Sequence, residues 1–280
     1  MEIGQKRMAL TNNKINILSH KKLSIQISLS GLSFCILQED SNSISYLEYF
    51  EFDKKQTPFE LLNSLKNVFD SKEELQGEFN SLIVIYENEL STLVPKPLFD
   101  EDNLADYLKF NSKILKSDFI SFDEIQINDS VNVHVPYVNI NNYIYEKFGA
   151  FTYTHYATVL IEHILNIDKN ADEPKMYVNV SKAHFEIIIT HLGKLLFYNS
   201  FEYTTKEDFI YYTLFTAEQL KLNPETLAVT LFGNVDANSE LFDIAYKYIR
   251  NVSFGIRKDS FSIADETISD HSNYVLLNSF

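Results

Sequence analysis

The sequence predicts an internally duplicated α/β protein, with two mixed sheets each flanked by helices. Three observations carry that prediction. Alternating apolar and polar residues open both halves, as Leu23, Ile25, Ile27, Leu29 and as Tyr177-Val178-Asn179-Val180-Ser181. A helix-capping signature follows the third predicted strand of each half, Thr57-Pro58-Phe59-Glu60 and Thr204-Thr205-Lys206-Glu207. Those third strands also end alike, in Phe50-Glu51-Phe52 and Phe201-Glu202-Tyr203.

In the first half the alternating run turns near Gly31 and resumes as Phe34, Cys35, Ile36, Leu37, which predicts a strand pair. A third strand, Ile44 to Phe52, follows the polar turn Glu39 to Asn42. Thr57 then serves as N-cap, Pro58 occupies the first helical position, and a helix runs to about Asp70. The continuous apolar run Leu82 to Tyr86 fits a strand buried on both faces. The second half repeats this order: Phe185 to Thr190, a turn at His191-Leu192-Gly193-Lys194, a helix towards Leu222, and the buried strand Leu227 to Phe232 before Gly233.

Between the two copies lies a connection from Glu89 to Lys116, read as an insertion at about 89–117. A strand at Val131 to Pro136, a helix at Val138 to Phe148, an extended Phe151 to Thr154 and a helix at Tyr156 to Ile167 follow. The stretch Asp168 to Pro174 is polar without apolar periodicity, so the expected domains are 1–170 and 171–280.

Composition narrows the function. The 280 residues are 45% hydrophobic and 22% charged, which is globular, and 24 basic against 39 acidic residues give a net charge of −15. Nucleic acid and anionic lipid surfaces are repelled by such a balance, so no nucleic-acid partner is expected. No apolar stretch has transmembrane length, no signal peptide is evident, and the one cysteine, Cys35, forms no internal disulfide; the expected compartment is cytoplasmic. Average usage of about 7% predicts roughly twenty glycines. The chain has seven, and they stand far apart at Gly4, Gly31, Gly77, Gly149, Gly193, Gly233 and Gly255. Rossmann and Walker phosphate loops, which need clustered glycines, are excluded, as is the Gly-x-Ser-x-Gly elbow. A His-Glu-x-x-His zinc helix is absent.

Single residues read mostly as structural. His184 and His191 sit at opposite ends of one predicted strand, roughly 20 Å apart at about 3.3 Å per residue, too far to share a metal. His155 and His163 lack a third ligand at suitable spacing, and no metal site is expected. The acidic clusters Asp100-Glu101-Asp102, Asp123-Glu124, Asp172-Glu173 and Glu207-Asp208 fall at loops or helix starts, where the helix dipole favours them. Cys35 has apolar neighbours and no nearby base, which predicts a buried thiol. Tyr143, Tyr145, Tyr153, Tyr156, Tyr211 and Tyr212 are too many for one site, and most read as packing residues with surface hydroxyls. Lys6, Arg7, Lys14, Lys21 and Lys22 form a basic arm that can pair with the acidic body.

Three antiparallel strands followed by helix, strand, helix, strand and helix, twice in one chain, resembles the duplicated ribonuclease-H-like fold of the actin, sugar-kinase and heat-shock ATPase superfamily. Within it the chain is most similar to actin-like proteins of bacterial division and type IV pilus assembly. Ser91-Thr92-Leu93-Val94-Pro95-Lys96-Pro97-Leu98-Phe99 and Leu104 to Asn111 are also similar to a Bacteroidetes family of unknown function with this fold.

The resemblance implies an Asp-x-Gly in the first hairpin of each half, where the carboxylate organises Mg²⁺ and the glycine admits phosphate. Here those positions fall on Ser28 and Ser30, with Gly31 beside them, and on Ser181 and Ala183; the adenosine-contacting Gly-Gly falls on Gly233-Asn234. A hydroxyl does not replace the charge that a hard cation requires. The leading expectation is therefore a non-catalytic actin-like scaffold without cofactor. The rival is an atypical ATPase or kinase holding ATP and magnesium in the interdomain cleft through Ser28, Ser30, Gly31, Ser181, Gly233 and Asn234. An unrelated α+β enzyme is a third class. The partner of a scaffold would be a protein, met through Leu98, Phe99 and Phe110, because the insertion places large apolar residues outside the repeated core.

Overall fold

A computed structural model describes residues 20–258, 261–263 and 268–280. Lys6, Arg7 and Lys14 of the basic arm lie outside the described residues. The described chain divides into two compact units: 20–159 with 261–263 and 275–280, and 160–258 with 268–274.

The first unit opens with β1 (Lys21–Ser28), β2 (Gly31–Gln38) and β3 (Ser43–Glu51), an antiparallel meander. Helix α1 (Pro58–Ser71) begins at Thr57, whose hydroxyl accepts the Glu60 amide while the Glu60 carboxylate accepts the Thr57 amide. Strand β4 (Ser81–Glu87) then pairs parallel with β1, which needs the crossover helix that α1 supplies. An inserted antiparallel sheet follows, built from β5 (Ser91–Pro95), the short α2 (Leu104–Leu108), β6 (Ser121–Ile125) and β7 (Ser130–His134) in the order β5-β7-β6. Helix α3 (Val138–Phe148), β8 (Thr152–His155) and α4 (Tyr156–Ile167) complete the run. Leu61, Leu65 and Phe69 of α1 and Ile140 and Ile144 of α3 pack on Leu23, Ile25, Ile27, Phe34 and Val84 of the main sheet.

The second unit repeats the plan with β9 (Lys175–Val180), β10 (His184–His191), β11 (Lys194–Glu202), α5 (Lys206–Gln219), β12 (Ala228–Gly233), α6 (Glu240–Tyr248) and β13 (Asn251–Phe254). Its sheet order, β11-β10-β9-β12-β13, matches β3-β2-β1-β4-β8 of the first, with the same parallel and antiparallel neighbours. The register slips by one residue between Ile36 and Leu37 against β3 and between Ile189 and Thr190 against β11, at the offset that relates Ser28 to Ser181. The duplication thus extends to an irregularity. Met176, Val178, Ile187, Phe209 and Val229 form the second core. A last strand, β14 (Ser262–Ile263), pairs parallel with β3, and α7 (Tyr274–Leu277) ends the helices.

Three details depart from expectation. The second cap is Thr205, bonded to Asp208, one residue later than the Thr204 and Glu207 of the sequence reading. Residues 89–135 contain a sheet of their own rather than a connection and one strand. Asp168, first of the polar stretch, is buried, where its carboxylate accepts from Lys175 Nζ at 2.8 Å and from the Thr190 hydroxyl. Cys35 is fully buried in β2. Among the described residues, no helix is long and apolar enough to cross a membrane.

Candidate functional site

The hairpin at the end of β1 gathers three of the residues singled out from sequence. Ser28 stands opposite Gly31 of β2, and the turn between them is Leu29-Ser30. The Ser28 Oγ accepts the Ser30 amide at 3.1 Å, closing the turn on itself. Gly31 is needed for close approach: a Cβ there would stand 2.7 Å from the Tyr49 hydroxyl oxygen and 2.8 Å from the Phe50 carbonyl oxygen. The tyrosine ring therefore covers the glycine face. On the other side of Ser28, the parallel register brings Glu87 of β4 alongside, with its carboxylate accepting from Gln26 Nε2 at 2.8 Å. Burial, then the charge of Glu87, raises the pKa of the Tyr49 hydroxyl. Sequence reasoning counted only hydroxyls at this edge and missed Glu87. The signal was present, because parallel strands β1 and β4 end at one edge and Glu87 ends the apolar run Leu82 to Tyr86.

In the second unit Ser181 follows β9, donates its amide to the His184 carbonyl at 2.9 Å, and accepts from the Tyr203 hydroxyl at 2.8 Å through its own carbonyl. Gly233 ends β12 with φ at +84°, and a Cβ there would stand 2.2 Å from the Val180 carbonyl oxygen. No other residue fits both the dihedral and the space. Its amide donates to the His271 carbonyl at 2.7 Å, the Asn234 amide to the Val180 carbonyl at 2.7 Å, and the Val235 amide to the Gly233 carbonyl at 3.0 Å. Continuing the β9/β12 register puts Asn234 where the first unit has Glu87. Each predicted set is thus assembled within its own unit.

The inserted sheet holds the predicted partner residues. Val94, Leu108, Val131 and Val133 form its core, against which Phe99 packs with its ring 4.9 Å from that of Phe122 and stacked on Tyr107. Phe99 is half-buried, with one side of its ring against this core. Leu98 and Phe110 are 72% and 83% exposed. Leu115, not singled out from the sequence, is 67% exposed on the same insertion.

Beneath the inserted sheet runs a buried polar seam that the sequence did not reveal. Asp123 of β6 accepts, on one oxygen, the Thr154 hydroxyl at 2.8 Å, the His155 amide at 2.8 Å and the Thr158 hydroxyl at 2.9 Å. Asn132 of β7 donates to Thr158 Oγ1 at 3.0 Å, and the rings of His134 and His155 lie 5.3 Å apart. His155 Nδ1 accepts the Ala157 amide at 3.1 Å, so its proton resides on Nε2, which faces the Asn88 carbonyl at 3.1 Å. Burial, reinforced by His134, holds the His155 pKa at about 3 against the opposing pull of Asp123. Tyr153, expected to place its hydroxyl at the surface, is buried with that group 3.3 Å from Ser121 Oγ. The seam fastens β6 and β7 to β8 and α4, and its buried, neutral His155 is a structural fastener. Among the described residues no group of three or more His, Cys, Asp or Glu is arranged to hold a metal.

The paired five-strand order with crossover helices, duplicated within one chain, defines an actin-like ATPase fold. A Bacteroides thetaiotaomicron protein with an actin-like ATPase fold and unknown function is similar with a TM-score of 0.78 at 23% identity, over 93% of this chain and 95% of that one. The PilM-PilN type IV pilus biogenesis complex gives a TM-score of 0.59 at 10% identity, over 92% and 96%. At these identities the likeness shows the fold alone. The chain belongs to the DUF3822 family, proteins of unknown function, whose model matches residues 10–252. No curated protein matches it.

Proposed function

We propose that the protein is a non-catalytic, actin-like interaction scaffold whose two nucleotide corners have become structural. One observation carries this reading: four backbone amides at the corners are spent inside the protein. Those of Ser30, Ser181, Gly233 and Asn234 donate to Ser28 Oγ and to the carbonyls of His184, His271 and Val180. Phosphate binding in loops depends on convergent, unengaged N–H groups. Tyr49 over Gly31 adds bulk where a phosphate would approach. Glu87 supplies a carboxylate beside Ser28, and it is already bonded to Gln26. With the corners closed, the exposed apolar residues of the inserted sheet become the feature to explain, and protein contact explains them. The PilM-PilN structure, similar in fold, is itself an assembly of pilus biogenesis.

Thermal unfolding with and without Mg-ATP tests this. A ligand at a hundred times its dissociation constant stabilises by about 2.7 kcal/mol, which is several degrees in a chain of this size. We expect no shift at millimolar Mg-ATP. A Mg-dependent rise of several degrees would put the rival, an ATP-binding enzyme, in its place.

A further inference from the structure

We infer that the loop following α2 is a lysine-collared apolar tip that docks an acidic protein segment; this deepens the scaffold reading and rests on it. The tip is held from within. Leu108 is fully buried and Ile114 packs on the same small core, while the Asn111 and Ser112 amides donate to the Leu108 carbonyl and Asp118 accepts the Leu115 amide at 2.7 Å. Anchored this way, Phe110 and Leu115 are presented to solvent at 83% and 67% exposure. Phe110 is the most exposed large apolar side chain among the described residues.

Basic residues outnumber acidic ones around these two side chains, against the balance of the molecule. Residues 106–118 contain Lys109, Lys113 and Lys116 against Asp106 and Asp118, in a chain of net charge −15; Asp118 is engaged by the Leu115 amide. Lys109 is paired with Asp106 at 2.8 Å and lies over the Phe110 ring, 5.0 Å from its centroid. Lys113 and Lys116 are exposed, and among the described residues neither has a carboxylate within ion-pair distance. Opposite charge steers encounter and sets register, while the apolar pair supplies the anchor. The complement is a segment with carboxylates flanking an apolar residue. An anionic bilayer shares the sign, but two free lysines multiply affinity for it by only about fivefold each, and the acidic body opposes approach.

Incorporating p-benzoylphenylalanine in place of Phe110 of the full chain, irradiating source cells and sequencing the adduct reads the partner's chemistry. The expected adduct is a net-acidic segment containing an apolar residue. Its yield should fall at least fivefold in K113E/K116E, and less in K113Q/K116Q, with melting temperatures near that of the parent. A neutral or basic segment, a lipid adduct, no adduct, or a yield indifferent to charge reversal overturns the inference. Mg-ATP melting of the same proteins reports on the scaffold reading separately, so either can fail alone.

Discussion

The Tyr49 ring lies against the Cα of Gly31, leaving no room for a side chain at the tip of the first hairpin. The Phe50 carbonyl closes the same space from the backbone, so the contact cannot be relieved by turning the tyrosine alone. Gly31→Ala should therefore destabilise the protein by about 1–3 kcal/mol, the usual cost of overpacking. The check is the urea midpoint at unchanged slope. A glycine kept only for ligand approach would give an alanine variant of parental stability.

The register of the second cap separates two adjacent threonines. Thr205 Oγ1 accepts the Asp208 amide, while the Asp208 carboxylate accepts both threonine amides and the Thr204 hydroxyl. Those bonds, that from the Thr204 amide first, hold the Asp208 pKa down at about 2. T205A removes the acceptor of a helical amide and should cost about 1 kcal/mol. T204A loses one exposed hydroxyl bond and keeps its amide bond, so its stability should fall by about 0.5 kcal/mol, the low end for a hydrogen bond. Equal losses, or a larger loss for T204A, would place the cap one residue earlier.

That register was beyond the sequence because Thr204-Thr205 and Glu207-Asp208 offer the same chemistry twice. The strands and helices of the repeated cores were legible, since Leu23, Ile25 and Ile27 alternate and Thr57 caps within a few residues. The inserted sheet was not. In β6 the inward positions are Ser121, Asp123 and Ile125, while Phe122 and Glu124 face away, so the apolar residue of that pair points out of the seam. Strand β7 is buried throughout and includes Asn132 and His134. A polar core between strands thirty residues apart leaves no local alternation to detect. Ser28 and Ser181 were legible as hairpin residues from the alternation that precedes each, whereas Glu87 became part of the corner only through strand pairing.

The seam gives the protein a pH dependence with a defined sign. His155 takes up its proton near pH 6.5 when unfolded and near pH 3 when folded, because its ring is buried beside His134 and the attraction of Asp123 and Glu87 does not compensate. The Ala157 amide points at the nitrogen that would receive the proton. Acidification through that window therefore favours the unfolded state, at up to about 1.4 kcal/mol per pH unit. Above pH 6.5 neither state is protonated and the stabilisation is complete; below about 3 both are and the dependence ends. Between pH 6.5 and 5 the expected loss from this residue is roughly 1.6 kcal/mol. Other titrating groups add their own slopes, so the measurement compares the parent with H155Q, whose side chain retains a donor for Asn88 and an acceptor for Ala157. The parent's urea midpoint should fall more steeply than the variant's over this interval. Parallel curves would mean that His155 is protonated in the folded protein, and the assignment of its proton to Nε2 alone would be wrong.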